Sequence, residues 1–185
     1  MKGDCHWWWI KKLRLIKKIK KGNHQAFKKL YDRFADYSLR TAFAITKNQS
    51  DASDIVQETF IRVYRNIDSY DMSRSFKAWF YQILINETRR YMKKKTKQAR
   101  SIESDQLLDF LHQQTEEAYH FDDLYLAMDK LEENHRTVII LKYLNGFTEK
   151  DIAEVLELNV NTVKSRLFKA RKQLKGMMGG ASDER

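Results

Sequence analysis

Proline is absent from this chain of 185 residues, glycine occurs six times and cysteine once. Long helices can therefore run without the kinks proline imposes. The lone Cys5 excludes an intramolecular disulfide, and His6, His24, His112, His120 and His135 are too scattered for a zinc site. No run approaches the roughly 18 apolar residues of a membrane span. No phosphate-binding glycine loop, nucleophile motif or convergent carboxylate pair stands out. Asp122-Asp123 and Glu132-Glu133 are adjacent pairs that face different directions on a helix. We expect no metal, no cofactor, no small-molecule substrate and no enzymatic activity.

What remains is periodic. Leu, Ile, Lys, Glu and Gln recur in long runs, which predicts an all-α protein of one or two domains. The net charge of +10 is unevenly spread: residues 1–100 carry +15, residues 101–123 carry −7 with no basic side chain, and the rest carry +2. A basic body favours a polyanionic partner, nucleic acid or an anionic membrane. The acidic middle reads as a flexible tether between two small helical domains.

The first 21 residues form a basic leader, with Trp7-Trp8-Trp9 ahead of a Lys-rich helix on which Leu13, Ile16 and Lys20 share a side. It is read as a first helix with a ragged start, the other reading being an interfacial anchor. A helix is expected over about 25–46, its Phe27, Leu30, Tyr31, Phe34 and Phe43 mainly core. Over about 52–67, Val56, Phe60, Val63 and Ile67 form a buried stripe. Asp54, Gln57 and Ile61, with Glu58 nearby, form an opposite mixed patch. That patch is either a solvated face or a dock for a partner helix. A helix over about 76–95 turns Phe80, Leu84 and Tyr91 inward. It gathers Trp79, Gln82, Asn86, Arg89, Arg90 and Lys93 along another edge. An aromatic plane, amides and cations together suit single-stranded nucleic acid.

Near the C-terminus the pattern becomes more specific. Ala127, Met128 and Leu131 belong to one helix with Leu124, and Val138, Ile139, Leu141, Tyr143 and Leu144 to the next. Thr148 and Asp151 have capping-box spacing ahead of Ile152, Ala153 and Leu156. Asn159 is expected to take a left-handed turn position. Val163, Leu167, Ala170 and Leu174 form one stripe, leaving Asn161, Ser165, Phe168, Lys169 and Lys172 opposite, flanked by Lys164, Arg166 and Arg171. Helix, turn and outward basic helix make a helix-turn-helix suited to the major groove. The tail after Lys175 is expected to fray.

Three stretches in this order resemble bacterial extracytoplasmic-function (ECF) RNA polymerase sigma factors of the sigma-70 family. They are Asp51-Ala52-Ser53-Asp54-Ile55-Val56-Gln57-Glu58-Thr59-Phe60, the run from Phe76-Lys77-Ala78-Trp79-Phe80 through Asn86 to Lys95, and Asn161-Thr162-Val163-Lys164-Ser165-Arg166-Leu167-Phe168-Lys169-Ala170-Arg171. The resemblance implies a sigma region-2-like domain over 22–95, a linker over 96–121, a region-4-like domain over 122–176 and a tail over 177–185. It implies that Asp54 and Gln57, and with them Glu58 and Ile61, grip the β′ subunit of core RNA polymerase. It places Trp79 and Asn86 at a melted −10 strand, alongside Gln82, Arg89, Arg90 and Lys93. Lys164, Ser165, Phe168 and Lys169 fall at −35 contacts, Lys142 at a phosphate- or base-contacting position before the motif, and Asn161, Thr162, Arg166 and Arg171 are implied to join the −35 set. Implied partners are the polymerase β′ and β subunits, promoter DNA and an anti-sigma factor. The implied location is the bacterial cytoplasm, with the anti-sigma factor as a membrane tether. The turn Asn159-Val160-Asn161 lacks the Pro and Gly frequent in the family, Gln82 replaces a frequent arginine, and Trp7-Trp8-Trp9 has no counterpart. The rival reading is a stand-alone helix-turn-helix regulator that binds an operator without polymerase.

Overall fold

The computed structural model describes residues 14–101 and 127–179. Trp7-Trp8-Trp9, Leu13, Leu124, most of the acidic stretch and residues 180–185 lie outside them. The chain divides into two compact units whose main boundary, after Thr88, falls within one long helix. Every regular element among the described residues is helical, with no strand.

The first unit begins with α1 (residues 14–20), which buries Ile16 and Ile19. Gly22 (φ +77°) takes the chain through a left-handed turn, a conformation glycine adopts without penalty. Asn23 then caps α2 (His24–Thr46), its Oδ1 accepting the Ala26 N–H at 2.9 Å. Lys47, itself left-handed, ends α2 by donating its N–H to the Phe43 carbonyl. Asn48 caps α3 (Gln49–Asn66) in the same way as Asn23, accepting the Asp51 N–H at 2.8 Å. That cap starts α3 three residues earlier than the apolar stripe alone suggested. A 3₁₀ turn (Ile67–Ser69) follows. Ser75 then caps α4 (Phe76–Ser101), which runs beyond the expected Lys95.

The core between these helices is aromatic. Phe34 meets Phe80 at 4.7 Å and Phe76 at 5.7 Å, and Phe60 meets Phe80 at 5.3 Å and Tyr31 at 4.7 Å. Each such pair contributes about 0.5–1.5 kcal/mol beyond the area it buries. Val56, Phe60, Val63 and Ile67 are buried as the stripe required. Tyr31 is not core: its ring lies tilted against Phe60 and stays 47% exposed. Tyr91 is only half-buried.

The second unit places Ala127, Met128 and Leu131 in its core, ahead of α5 (Glu133–Ile139). A π-helical turn (Ile140–Leu144) extends α5. Its wider i→i+5 pattern, closed by Asn145 N–H on the Ile140 carbonyl at 3.2 Å, carries the chain out of register with the buried stripe. Tyr143 and Leu144 therefore face solvent, Tyr143 at 61% exposure, although both continue the apolar pattern of the helix. The expected capping box is present ahead of α6 (Glu149–Leu156): Thr148 Oγ1 accepts the Asp151 N–H, and Asp151 Oδ2 accepts the Thr148 N–H at 3.0 Å. The left-handed residue of the turn is Glu157 (φ 54°), not Asn159. Asn159 instead caps α7 (Val160–Gly179), its Oδ1 accepting the Asn161 N–H at 2.8 Å. Rather than fraying after Lys175, α7 stays helical to Gly179.

Candidate nucleic-acid interface

Three helical faces carry the expected site residues. On α3, the buried stripe turns Asp54, Gln57 and Ile61 outward, and all three are exposed. Glu58 is half-buried and committed internally, accepting from Arg62 Nε at 3.1 Å. Arg62 Nε also lies 2.8 Å from Oε1 of Glu87, a carboxylate on α4 that is only 8% exposed. The helix bearing the mixed patch is thus tied to the helix bearing Trp79 by a largely buried ion pair. Gln57 and Ile61 also border a groove of about 770 Å³ walled by Phe27, Tyr31, Phe60 and Tyr64. Tyr31 and Tyr64 on this surface were missed by periodicity alone. Tyr64 falls three residues after Ile61, the spacing that continues the outward face.

On α4, Asn86, Arg90 and Lys93 are exposed, while Trp79, Gln82 and Arg89 are half-buried. Trp79 is neither plain core nor free. Its ring leans on Tyr70 at 5.0 Å and Phe76 at 5.5 Å, leaving part of the indole open. The loop ahead of α4 is held closely. Tyr70 is 3% exposed and its hydroxyl donates to the Arg74 carbonyl at 2.6 Å. Burial, reinforced by the charge of Asp71, pushes the Tyr70 phenol up to about 12. Asp71 accepts from the Ser73 N–H and hydroxyl at 2.9 and 2.8 Å, which holds its carboxyl below the usual range.

On α7, Val163, Leu167, Ala170 and Leu174 are all buried, so the opposite side is presented as expected. Asn161, Lys164, Ser165, Lys169 and Arg171 are exposed, and Phe168 projects at 65% exposure. Thr162 is half-buried. So is Arg166, which turns towards α5 with Nη1 3.5 Å from Asn134 Oδ1 and stands apart from the outward group. Arg171 Nε donates to the Leu167 carbonyl at 3.2 Å. Lys142, on the π turn, pairs with Glu149 Oε1 at 3.2 Å. Among the described residues no group of His, Cys, Asp and Glu could hold a metal ion, and no helix is long and apolar enough to cross a membrane.

Known proteins align with this arrangement. The sigma-70 region 2 family model matches residues 30–98, and the sigma-70 region 4 model matches residues 121–174. The RNA polymerase sigma factor SigV of Bacillus subtilis is 35% identical over 136 residues, covering 74% of this chain and 81% of that protein. The ECF RNA polymerase sigma factor SigW of the same organism is 32% identical over 173 residues, covering 86% and 92%. Among solved structures, CnrH in complex with the cytosolic domain of CnrY aligns at a TM-score of 0.69 with 25% identity, covering 91% of this chain and 97% of that one. The sigma factor RpoE bound to the anti-sigma factor NepR from Bartonella quintana aligns at 0.68 with 24% identity, covering 86% and 98%. Identity of this order across nearly the whole length of SigW, with both regions in sequence, is more than a shared helix-turn-helix accounts for: the chain belongs to the ECF RNA polymerase sigma factors.

Proposed function

We propose that the three outward faces divide the work of promoter-directed initiation among them. As a sigma factor the chain directs core RNA polymerase to promoters. Asp54, Gln57 and Ile61 dock on the polymerase β′ subunit, with Glu58 holding the face in register through Arg62. Trp79, Gln82 and Asn86 take the melted −10 strand, while Arg89, Arg90 and Lys93 follow its phosphates. Lys164, Ser165, Phe168 and Lys169, flanked by Asn161, Thr162 and Arg171, read the −35 duplex. Lys142 reaches a phosphate once freed from Glu149. Arg166 contributes by bracing α7 against Asn134. The observation that carries this reading is that the outward faces of α3 and α7 lie opposite a buried stripe, and that of α4 opposite buried Phe80 and Leu84, so most of these polar groups lie away from the core. The protein performs no bond chemistry. Unstacking a base costs a few kcal/mol per step, and base capture offsets it. An anti-sigma factor, the kind of partner seen with the related RpoE, would mask these faces and could hold the protein at the membrane.

The test is reconstituted transcription from a pooled promoter library, with and without this protein. Promoter-specific initiation lost in an Asp54→Ala/Gln57→Ala double mutant supports the assignment. Undiminished initiation by that mutant refutes the role given to α3.

A further inference from the structure

We propose that Lys20 is a positioning residue for −10 recognition: its ammonium clamps the loop between α3 and α4 and, through Tyr70, sets the pose of Trp79. The inference rests on the reading of α4 as the −10 face. Lys20 is the last helical residue of α1, and its Nζ donates to the carbonyl oxygens of Asp68 and Tyr70, each at 2.9 Å. These carbonyls stand at the end of the 3₁₀ turn Ile67–Ser69. A helical end leaves acceptors unsatisfied and gathers partial negative charge, so an ammonium there is held by both geometry and charge. Lysine carries three N–H donors, enough for both bonds.

The clamp leads directly to the indole. Tyr70 follows the turn, and its buried ring meets Phe76 edge-on at 5.2 Å and Trp79 at 5.0 Å. Its hydroxyl closes the far side of the loop on the Arg74 carbonyl, and Asp71 and Ser73 pin the segment between. A base that stacks on Trp79 gains most if the indole is already in place, because ordering a side chain on binding costs affinity. Lys20 supplies that order from 48 and 50 residues away in sequence.

The test uses the full-length protein in holoenzyme with core polymerase. The probes are a duplex promoter selected by the wild-type holoenzyme from a randomised pool, and single-position variants of its −10 element. Lys20→Met keeps the stem and removes the donors, whereas Lys20→Arg keeps donors. In Lys20→Met, the preference for the selected −10 element over its variants should fall about tenfold, within the span of a lost base–aromatic stack. Lys20→Arg should recover most of it, Tyr70→Phe should show a milder loss, and all three should bind core polymerase and −35 duplex as wild type does. Full discrimination in Lys20→Met, with loss in Trp79→Ala and Asn86→Ala, overturns the clamp and leaves the −10 reading standing. Full discrimination in Trp79→Ala and Asn86→Ala overturns the −10 reading itself. Joint loss of core binding and discrimination in Lys20→Met makes the residue a fold support only and also overturns the proposal.

Discussion

Arg62→Ala should loosen the first unit far more than its exposure suggests. The arginine side chain is 34% exposed, as surface ion-pair residues are, but the two carboxylates it reaches differ. Glu58, one turn earlier on α3, is 38% exposed, and an i,i+4 pair of that kind contributes about 0.3–0.5 kcal/mol. Glu87, on α4, is 8% exposed and lies 2.8 Å from Nε. Removing one partner of a buried pair costs about 3–5 kcal/mol, because the other charge stays desolvated. Water reaches one side of this arginine, so we expect about 2 kcal/mol for Arg62→Ala, and a few tenths for Glu58→Ala. An Arg62→Met/Glu87→Leu double mutant, which removes both charges and keeps apolar volume, should recover most of the loss. Hydrogen exchange of α3 and α4 amides reads these differences locally, without assuming that both units unfold together. If Arg62→Ala costs no more than Glu58→Ala, the pair does not hold the two helices together and the reasoning fails.

Three other expectations follow from single contacts. Thr148→Ala removes the hydroxyl that accepts the Asp151 N–H, half of the reciprocal cap of α6, and should cost about 1 kcal/mol, seen as faster amide exchange in its first turn. Lys169→Ala should weaken preference for the correct −35 element by about 1–3 kcal/mol if the residue reads a base, whereas a pure phosphate contact would instead lower the salt slope by about one with sequence preference intact. Tyr70 binds its proton more tightly when folded than the usual 10.0 of a free phenol, so the folded state holds the extra proton above pH 10. Its contribution is fully present below that pH and disappears as pH rises towards about 12. Wild type should therefore lose up to about 2 kcal/mol more stability than Tyr70→Phe across that window, and parallel alkaline titration curves would refute the assignment.

The helices and their buried stripes were legible because periodicity is a local property. Val163, Leu167, Ala170 and Leu174 needed only their spacing, and Thr148 with Asp151 needed only a cap pattern. The turn was half-legible. Asn159 suits both a left-handed turn position and a helix cap, and it serves as the cap, while the path of the chain puts the left-handed backbone on Glu157, a residue without that preference. The π turn was not legible. Its extra residue per turn shifts Tyr143 and Leu144 outward although their apolar character continues the helical pattern. Arg62–Glu87 and Lys20–Tyr70 join residues far apart in sequence, where charge and donor count carry no address.

The separation of stripe from face on α7 also bears on how such a protein changes over time. The residues that hold the helix and those proposed to meet DNA are disjoint sets. Substitutions at exposed sites usually change stability by no more than about 0.5 kcal/mol, so new promoter preferences can be explored without endangering the fold. Recently duplicated copies could diverge in target while sharing an unaltered scaffold, and a laboratory wishing to build mutually insulated gene circuits could exchange the outward side chains alone. Phe168 sets the limit of that freedom: a bare aromatic ring is tolerable singly, but each further apolar reader added beside it raises the tendency to self-associate when DNA is absent.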